Sequence, residues 1–321
     1  MNILITGGTG AVGARLAMVL ARHNRVFIPT RKNIENIRAD TRTKDNNIFY
    51  VQKDLLKDDA DLRGIDIVYH LAANTNETDP DMYKQNIALT RNVVEMAKKA
   101  GVKHIILLSS SGVLGETDEP SKEDMEYNPF TKYEESKMIS EQLVKESSIP
   151  YTIIRASIIM MPNNIWRAII GAAMKGFPLI GSGENKFHLS YINDVIALLA
   201  LVKDRQKAKN QTYHIAAKDS PTYFEVYKMI CSELRIPMTE KRISPALLKF
   251  LLLFKNDPVI NRHTVDRLLR NRQLSTEKTK QELGYEPRFT TQQALAETIK
   301  GLKLMKLGYS EHDVAEISMM K

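Results

Sequence analysis

Apolar and polar positions along the chain alternate between two rhythms. Short apolar runs appear at Ile3–Ile5, Val26–Ile28, Ile48–Val51, Ile65–Leu71, His104–Leu108 and Tyr151–Ile154. Each is too short for a helix and reads as a strand. Between them lie stretches with helical spacing. Ala11 to Ala21 repeats through Val12, Leu16, Val19 and Leu20, and longer helices are predicted from Asp81 to Ala100 and from Lys132 to Ser147. Gly101 is placed to end the first of these two longer helices. Strands alternating with helices through short connections predict parallel pairing in a doubly wound α/β sheet of the Rossmann type. The rhythm breaks after about residue 156. Turn residues then cluster at Pro162-Asn163-Asn164, Gly176, Pro178 and Gly181-Ser182-Gly183. The expected organisation is a nucleotide-binding domain over 1–156. A smaller, mainly substrate-binding lobe over 157–321 sits above the carboxyl ends of the strands, with some late elements returning to the sheet.

Composition narrows the picture only a little. The chain has 321 residues, of which 43% are hydrophobic and 26% charged, with a net charge of +8. The basic residues are scattered among acidic ones and no basic run is interleaved with aromatics, so nucleic acid is not an expected partner. An anionic cofactor or substrate is the more economical use of the charge. The chain opens directly on a strand, without the basic region and cleavage site of a signal peptide. No apolar run approaches the roughly 20 residues that cross a bilayer. The nearest, Pro245 to Phe254, is interrupted by Lys249 and is expected to be a buried or pocket-capping helix. The single cysteine, Cys231, excludes an intrachain disulfide, reads as an inert buried thiol, and fits a reducing, cytoplasmic location.

Chemistry enters at the first turn. The opening strand runs into Thr6-Gly7-Gly8-Thr9-Gly10-Ala11-Val12-Gly13. Glycines at 7, 10 and 13 let the chain turn tightly, bring backbone N–H groups against a pyrophosphate and aim a helix N-terminus at it. The second strand ends in Pro29-Thr30-Arg31-Lys32, where an acid would select the ribose hydroxyl of NAD(H). A basic pair suits the 2′-phosphate of NADP(H) instead, with Arg31 able to bind it through its planar fork. NADP(H) is therefore favoured, with NAD(H) the other possibility.

The proton chemistry is read from Tyr133 and Lys137, one helical turn apart on a single face. An ammonium beside a phenol is expected to favour the phenolate and bring the tyrosine towards neutral pH, and the lysine can also reach ribose hydroxyls. The fifth strand ends in Ser109-Ser110-Ser111-Gly112. One of these hydroxyls can polarise a substrate carbonyl towards Tyr133, and physics alone does not choose among the three. No metal site is expected.

Taken together, these motifs resemble the extended short-chain dehydrogenase/reductase family, the group often called NAD-dependent epimerase/dehydratase. The resemblance also rests on His70-Leu71-Ala72-Ala73, Arg155, Gly181-x-Gly183 before Tyr191-Ile192-Asn193-Asp194-Val195, and Leu283-Gly284-Tyr285-Glu286-Pro287. It implies that Ser110 is the catalytic hydroxyl, with Ser111 in reserve at the substrate. Asn86 would support the active-site lysine through water. Asp54 and Leu55 would sit at the adenine, and Leu71, Ala72 and Ala73 along the cofactor. Relatives of this kind often pair as homodimers through the Tyr133 helix, and Met138, Ile139, Leu143 and Val144 could serve that contact or the core.

The reaction within the family is less sharply marked. Asn163 and Asn164 resemble a diphosphate-binding position of sugar-nucleotide enzymes. However, Lys186-Phe187 stands where those enzymes carry an arginine, and no Arg-x-Gly-Asp segment precedes the late Leu-Gly-Tyr element, although Arg267, Arg270 or Arg272 could substitute. The acidic pair of the dehydratases is replaced by Ser111-Gly112. Trp166, Phe187 and the Leu247–Phe254 stretch could line an apolar substrate pocket. The leading expectation is an NADP(H)-preferring oxidoreductase acting on a small-molecule carbonyl or alcohol. A nucleotide-sugar epimerase or ketoreductase for UDP- or dTDP-hexoses is the alternative, and a non-catalytic NADP(H)-binding redox sensor is a third.

Overall fold

The apolar runs assemble into one sheet. A computed structural model describes residues 1–34, 46–58, 60–254, 262–308, 314, 317 and 318. Its first half runs β1 (Asn2–Thr6), α1 (Ala11–Ala21), β2 (Arg25–Thr30), β3 (Ile48–Gln52), β4 (Ile67–His70), α2 (Met82–Lys99), β5 (His104–Ser110), α3 (Lys132–Glu146) and β6 (Tyr151–Ala156). Then follow β7 (Ile158–Met160), α4 (Asn164–Met174), β8 (Leu179–Ile180), β9 (Leu189–Tyr191), α5 (Ile192–Val202), β10 (Gln211–Ile215), α6 (Tyr223–Leu234), β11 (Arg242–Ile243), α7 (Pro245–Leu251), α8 (Arg262–Leu269), α9 (Glu277–Leu283) and α10 (Thr291–Lys306).

The main sheet has seven strands in the order β10-β6-β5-β4-β1-β2-β3, all pairs parallel. Parallel neighbours need crossover helices, which cover both faces. The alternation of side chains along each strand divides the core accordingly. Ile3, Ile5, Ile106 and Ile154 face α1 and α5, whereas Leu4, Ile105, Leu107 and Ile153 face α2 and the Val144 end of α3. β1 lies between β2 and β4, so the chain leaves β1 in one direction along the sheet and resumes at β4 on the other side. That reversal opens a crevice at the carboxyl ends of β1 and β4, the usual ligand position in such sheets.

Two expectations change. The fourth strand is confined to Ile67–His70, with Ile65 buried just before it. The Pro245–Phe254 stretch forms α7 and one further turn, and it is buried only in part. Leu248 is buried and Leu252 half-buried against Ile180 and Val265 of an apolar cavity, which the stretch helps to cap, while Leu247, Phe250, Leu251, Leu253 and Phe254 are exposed. Among the described residues no helix is long and apolar enough to cross a membrane.

Burial also sets the response to acid. Burial lowers His70 and His214 to about 3 and His104 to about 4, and it lowers His188 in the same direction. Below the ordinary histidine value the unfolded chain therefore binds protons that the folded chain refuses. Stability present above pH ~6.5 is lost as the pH falls, by ~1.4 kcal/mol per unit for each such histidine. Glu123 and Asp194, raised by burial, act the other way only in the carboxylate range. We expect the melting temperature to drop by roughly 5–10 °C between pH 7 and 5.5, read by calorimetry. A flat profile over that interval would contradict the buried neutral state of these rings.

Candidate active site

The turn after β1 is built by close approach. Gly7 lies at φ +70°, and a Cβ there would fall 2.8 Å from the Ala72 nitrogen. A Cβ on Gly13 would fall 2.3 Å from the Gly7 carbonyl oxygen. Gly10 is the N-cap of α1 and caps it with no side chain, so the first N–H groups of the helix, at Ala11 and Val12, are left for a ligand. The Thr6 hydroxyl holds the two sides of the crevice together. It pairs with His70 Nδ1 at 2.8 Å and accepts the N–H groups of Leu71 at 3.2 Å and Ala72 at 3.1 Å. Leu71, Ala72 and Ala73 thus run opposite the glycine turn. A side chain at either glycine would collide with this backbone, so glycine lets the turn close with the uncapped N–H groups of α1 left for a ligand, and the residues present fit the diphosphate of a dinucleotide.

The neighbouring positions divide. Arg31 and Lys32 are exposed just past β2, and the buried Thr30 hydroxyl accepts the Lys32 N–H at 3.1 Å, shaping that corner. The Asp54 carboxylate folds onto its own turn, accepting the Leu56 N–H at 3.1 Å. Leu55 belongs to the core beside Leu4 and Val68, so it supports the turn and does not present an open surface.

α3 lies against the end of β5. Its start is fixed by a capping box, in which the Thr131 hydroxyl accepts the Glu134 N–H at 3.2 Å and the Glu134 carboxylate accepts the Thr131 N–H at 3.0 Å. Three residues later Lys137 Nζ donates to the Leu108 carbonyl at 2.9 Å, two residues before Ser110. Of the three serines, Ser109 is buried and donates to Glu141 at 2.6 Å, and Ser111 is buried. Ser110 is half-buried and accepts the Gly112 N–H at 3.1 Å, so it is the one turned towards the crevice. Asn86 makes no direct hydrogen bond to Lys137. Its amide accepts the Asn74 N–H at 2.7 Å and donates to the Ser136 hydroxyl at 3.2 Å, tying the β4–α2 loop to α3.

The electrostatics reverse another expectation. Burial pushes the Tyr133 phenol up to about 12, with Arg267 opposing and Glu77 and Glu134 adding to the rise. Burial lowers Lys137 to about 8 against the opposing charge of Glu141. Desolvation is the largest cause for both, and each group is pushed towards its neutral form.

A cluster that the sequence reading missed lies directly behind Tyr133. Arg270 Nη1 donates to both Glu134 oxygens at 3.0 Å, and Arg272 Nη2 also donates to Glu134. All three are buried. Burial disfavours the Glu134 charge, but Arg272 and Arg270 outweigh it and hold the carboxyl below its ordinary value. Arg270 also stacks on Phe130, with its guanidinium carbon 3.9 Å from the ring centre. Arg267 pairs with Glu77, so the elements after β6 bring three arginines to this edge of the sheet. A Cβ on Gly112 would lie 2.5 Å from Glu134, so glycine is needed there to admit the carboxylate. The Thr131-x-x-Glu134 spacing was the available sequence signal, a capping-box signature at the start of the Tyr133 helix.

The residues expected at the substrate are used differently. Asn163 is the N-cap of α4, its side chain accepting the Trp166 N–H at 2.9 Å, and Asn164 is exposed. Trp166 and Phe187 are buried, and both line one apolar cavity among the C-terminal elements.

Comparison with known proteins gives the family and the fold. The family model described as NAD dependent epimerase/dehydratase family matches residues 3–216. The chain is 25% identical to 3-beta-hydroxysteroid dehydrogenase of Mycolicibacterium neoaurum, over 93% of this chain and 90% of that one. It is 28% identical to UDP-glucose 4-epimerase of Vibrio cholerae, over 92% and 94%. The fold is that of UDP-glucuronic acid 4-epimerase from Bacillus cereus, solved with UDP-glucuronic acid and NAD. The TM-score is 0.77 at 20% identity, covering 95% of this chain and 100% of the other.

Removing one partner of a buried ion cluster leaves uncompensated charge. Glu134→Gln would leave Arg270 and Arg272 facing each other with no anion between them. We expect a loss of about 3–5 kcal/mol in denaturant unfolding. A loss below about 1 kcal/mol would show that the cluster does not hold the helix.

Proposed function

The chain belongs to the NAD dependent epimerase/dehydratase family, and from that premise we propose a carbonyl/alcohol oxidoreductase in which Tyr133 is the proton donor. The observation that carries the reading is the placement of Tyr133 and Lys137 along α3, with the lysine ammonium at the Leu108 carbonyl and the half-buried Ser110 two residues on. When bound, the reduced nicotinamide supplies hydride to the carbonyl carbon and is itself oxidised. The electron pair of the C=O bond then goes to oxygen, which takes the phenolic proton of Tyr133. The Ser110 hydroxyl donates to the same oxygen and orients it. A phenol near 12 is fully protonated at neutral pH, which suits it to giving a proton in the reductive direction. Lys137, near 8, carries its charge at neutral pH, where it can stabilise the phenolate left behind and hold a ribose hydroxyl.

NADP(H) is the proposed cofactor, because the end of β2 offers Arg31 and Lys32 and no acid. Gly7, Gly10, Ala11, Val12 and Gly13 would hold the diphosphate, with Leu71, Ala72 and Ala73 alongside. The buried lone cysteine fits a cytoplasmic setting. Pairing of two copies through α3 would cover Met138, Ile139 and Leu143, which are half-buried.

The relatives act on a steroid in one case and a nucleotide sugar in the other. One observation favours a nucleotide sugar here: Arg270 Nη2 and Arg272 Nε are buried without a hydrogen-bond partner among the described residues. They could meet a diphosphate, although both guanidinium groups are already engaged by Glu134.

Tyr133→Phe is expected to lower kcat for carbonyl reduction by ~10²–10⁴ while NADPH binding is retained. Normal turnover in that variant would reject the assignment. The reductive kcat/KM is expected to decline as the pH rises above about 8, where Lys137 loses its proton, and Lys137→Arg should move the decline upward. A rate independent of pH up to 10 would remove the lysine from the mechanism. Arg31→Asp is expected to cut kcat/KM for NADPH at least ~10-fold and leave NADH little changed, since one charge-assisted phosphate contact is lost. Equal loss with both cofactors would argue against a 2′-phosphate contact.

A further inference from the structure

His70 is buried at the end of β4, and both of its ring nitrogens are engaged. Nδ1 lies 2.8 Å from the Thr6 hydroxyl and Nε2 lies 3.0 Å from the Thr90 hydroxyl. The count of donors fixes the direction of both bonds. The Thr6 oxygen accepts the Leu71 and Ala72 N–H groups with its two lone pairs, so its one proton goes to Nδ1. The neutral ring then carries its own proton on Nε2 and donates it to Thr90. Burial, aided by the charge of Lys137, lowers the ring to about 3 and keeps it neutral.

Beyond Thr90 the path enters the catalytic helix. Thr90, on α2, has its hydroxyl 2.9 Å from the Asn86 carbonyl and 2.9 Å from the Ser140 hydroxyl of α3. The Ser140 hydroxyl in turn lies 2.8 Å from the Ser136 carbonyl. The two hydroxyl protons are shared among these three contacts. Ser136 and Ser140 stand one residue before and three residues after Lys137 on the buried face of α3. Ser136 is tied a second time through Asn86, whose amide also donates to the Asn74 carbonyl in the loop after β4. One end of the path is therefore the wall of Leu71 and Ala72 opposite the glycine turn, and the other is the helical turn that carries Lys137. Thr6, His70, Thr90, Ser136 and Ser140 are all buried, so solvent does not replace a lost partner.

We propose that His70 and Thr90 are positioning residues that set Lys137 against the cofactor wall, through the path Thr6–His70–Thr90–Ser140. The inference rests on the reading in which Lys137 holds a ribose hydroxyl, and it adds what fixes the lysine in place. Polar groups that merely satisfy one another in the core would add to stability and leave the work of Lys137 untouched.

Two measurements on the full chain separate these cases, and neither needs the reacting substrate. In ring-selective 15N NMR, with His70 assigned by its loss in His70→Gln, Nε2 is expected to be protonated and Nδ1 unprotonated between about pH 6 and 8. An Nδ1–H tautomer or a charged ring in that range would overturn the path. The second measurement is a cycle of variants read by NADPH affinity. Lys137→Met is expected to weaken binding about tenfold in the parent chain, through loss of a charged hydrogen bond, but about threefold or less in Thr90→Val, which removes the hydroxyl and nearly keeps the shape. Thr90→Ser retains the hydroxyl and should restore the full effect. Ser140→Ala cuts the path one bond later, should act as Thr90→Val does, and carries the cycle if Thr90→Val does not fold. Arg31→Asp, just past β2, should weaken NADPH equally with and without Thr90→Val. Equal effects of Lys137→Met in every background, no effect in any, or an interaction of the same size with Arg31→Asp would each overturn the inference. Normal turnover in Tyr133→Phe would reject the proton donor and leave this cycle unchanged, so the two readings fail separately.

Discussion

The constraint on which this structure depends is a helix whose buried face is polar. α3 buries Glu134, Ser136, Lys137, Ser140, Glu141 and Val144, and only the last is apolar. Such a face gains little from leaving water and costs a great deal unless every group finds a partner. Each partner comes from a different part of the chain. Glu134 meets Arg270 and Arg272, Ser136 meets Asn86, and Ser140 meets Thr90. Glu141 accepts from Arg155 at 2.8 Å, from Tyr127 at 2.8 Å and from Ser109 at 2.6 Å. Apolar packing would tolerate small slips of this helix along the sheet. Hydrogen bonds to charged groups at fixed distances do not, so Tyr133 and Lys137 inherit a position set from several sides.

The same burial explains the protonation states. A tyrosine and a lysine one turn apart in water would stabilise each other's charges. In this crevice the loss of solvent dominates, raising the phenol and lowering the ammonium. At neutral pH this leaves a protonated phenol beside an ammonium that keeps most of its charge and sits close to losing it. Of the surrounding arginines, Arg267 acts on Tyr133 directly and opposes the rise, while Arg270 and Arg272 are paired with Glu134.

The sheet and the phosphate turn were legible because they rest on local rules. Period-two apolar runs, glycines required by close approach, and a Tyr–Lys pair at helical spacing all act within a few residues. Partnerships across long separations were not legible. Glu134 and Arg270 lie on different elements, and nothing near either residue names the other. The same limit covers the local roles of Asn163, whose side-chain oxygen caps α4, and of Leu55, which packs in the core, since neither is signalled by its neighbours in sequence. Pro245–Phe254 was legible in part: an apolar run states a preference for burial but not which residues obtain it, and here Leu248 and Leu252 pack on cavity-wall residues while the others stay exposed.

The division of the C-terminal elements into a charged side and an apolar side follows from that placement. Arg267, Arg270 and Arg272 turn towards Glu77 and Glu134, neutralising acids that would otherwise sit unpaired beside the phenol. Residues between and beside them, Val265, Leu268 and Phe187, then necessarily face away, because a helix or extended segment that points one set of side chains inward points the next set outward. The arginines that secure α3 thereby leave the opposite wall to hydrocarbon. Among the described residues Arg270 and Arg272 are the cations paired with Glu134, whose other donors are the Phe130 and Thr131 N–H groups, so an anion that recruited either arginine would compete with this carboxylate.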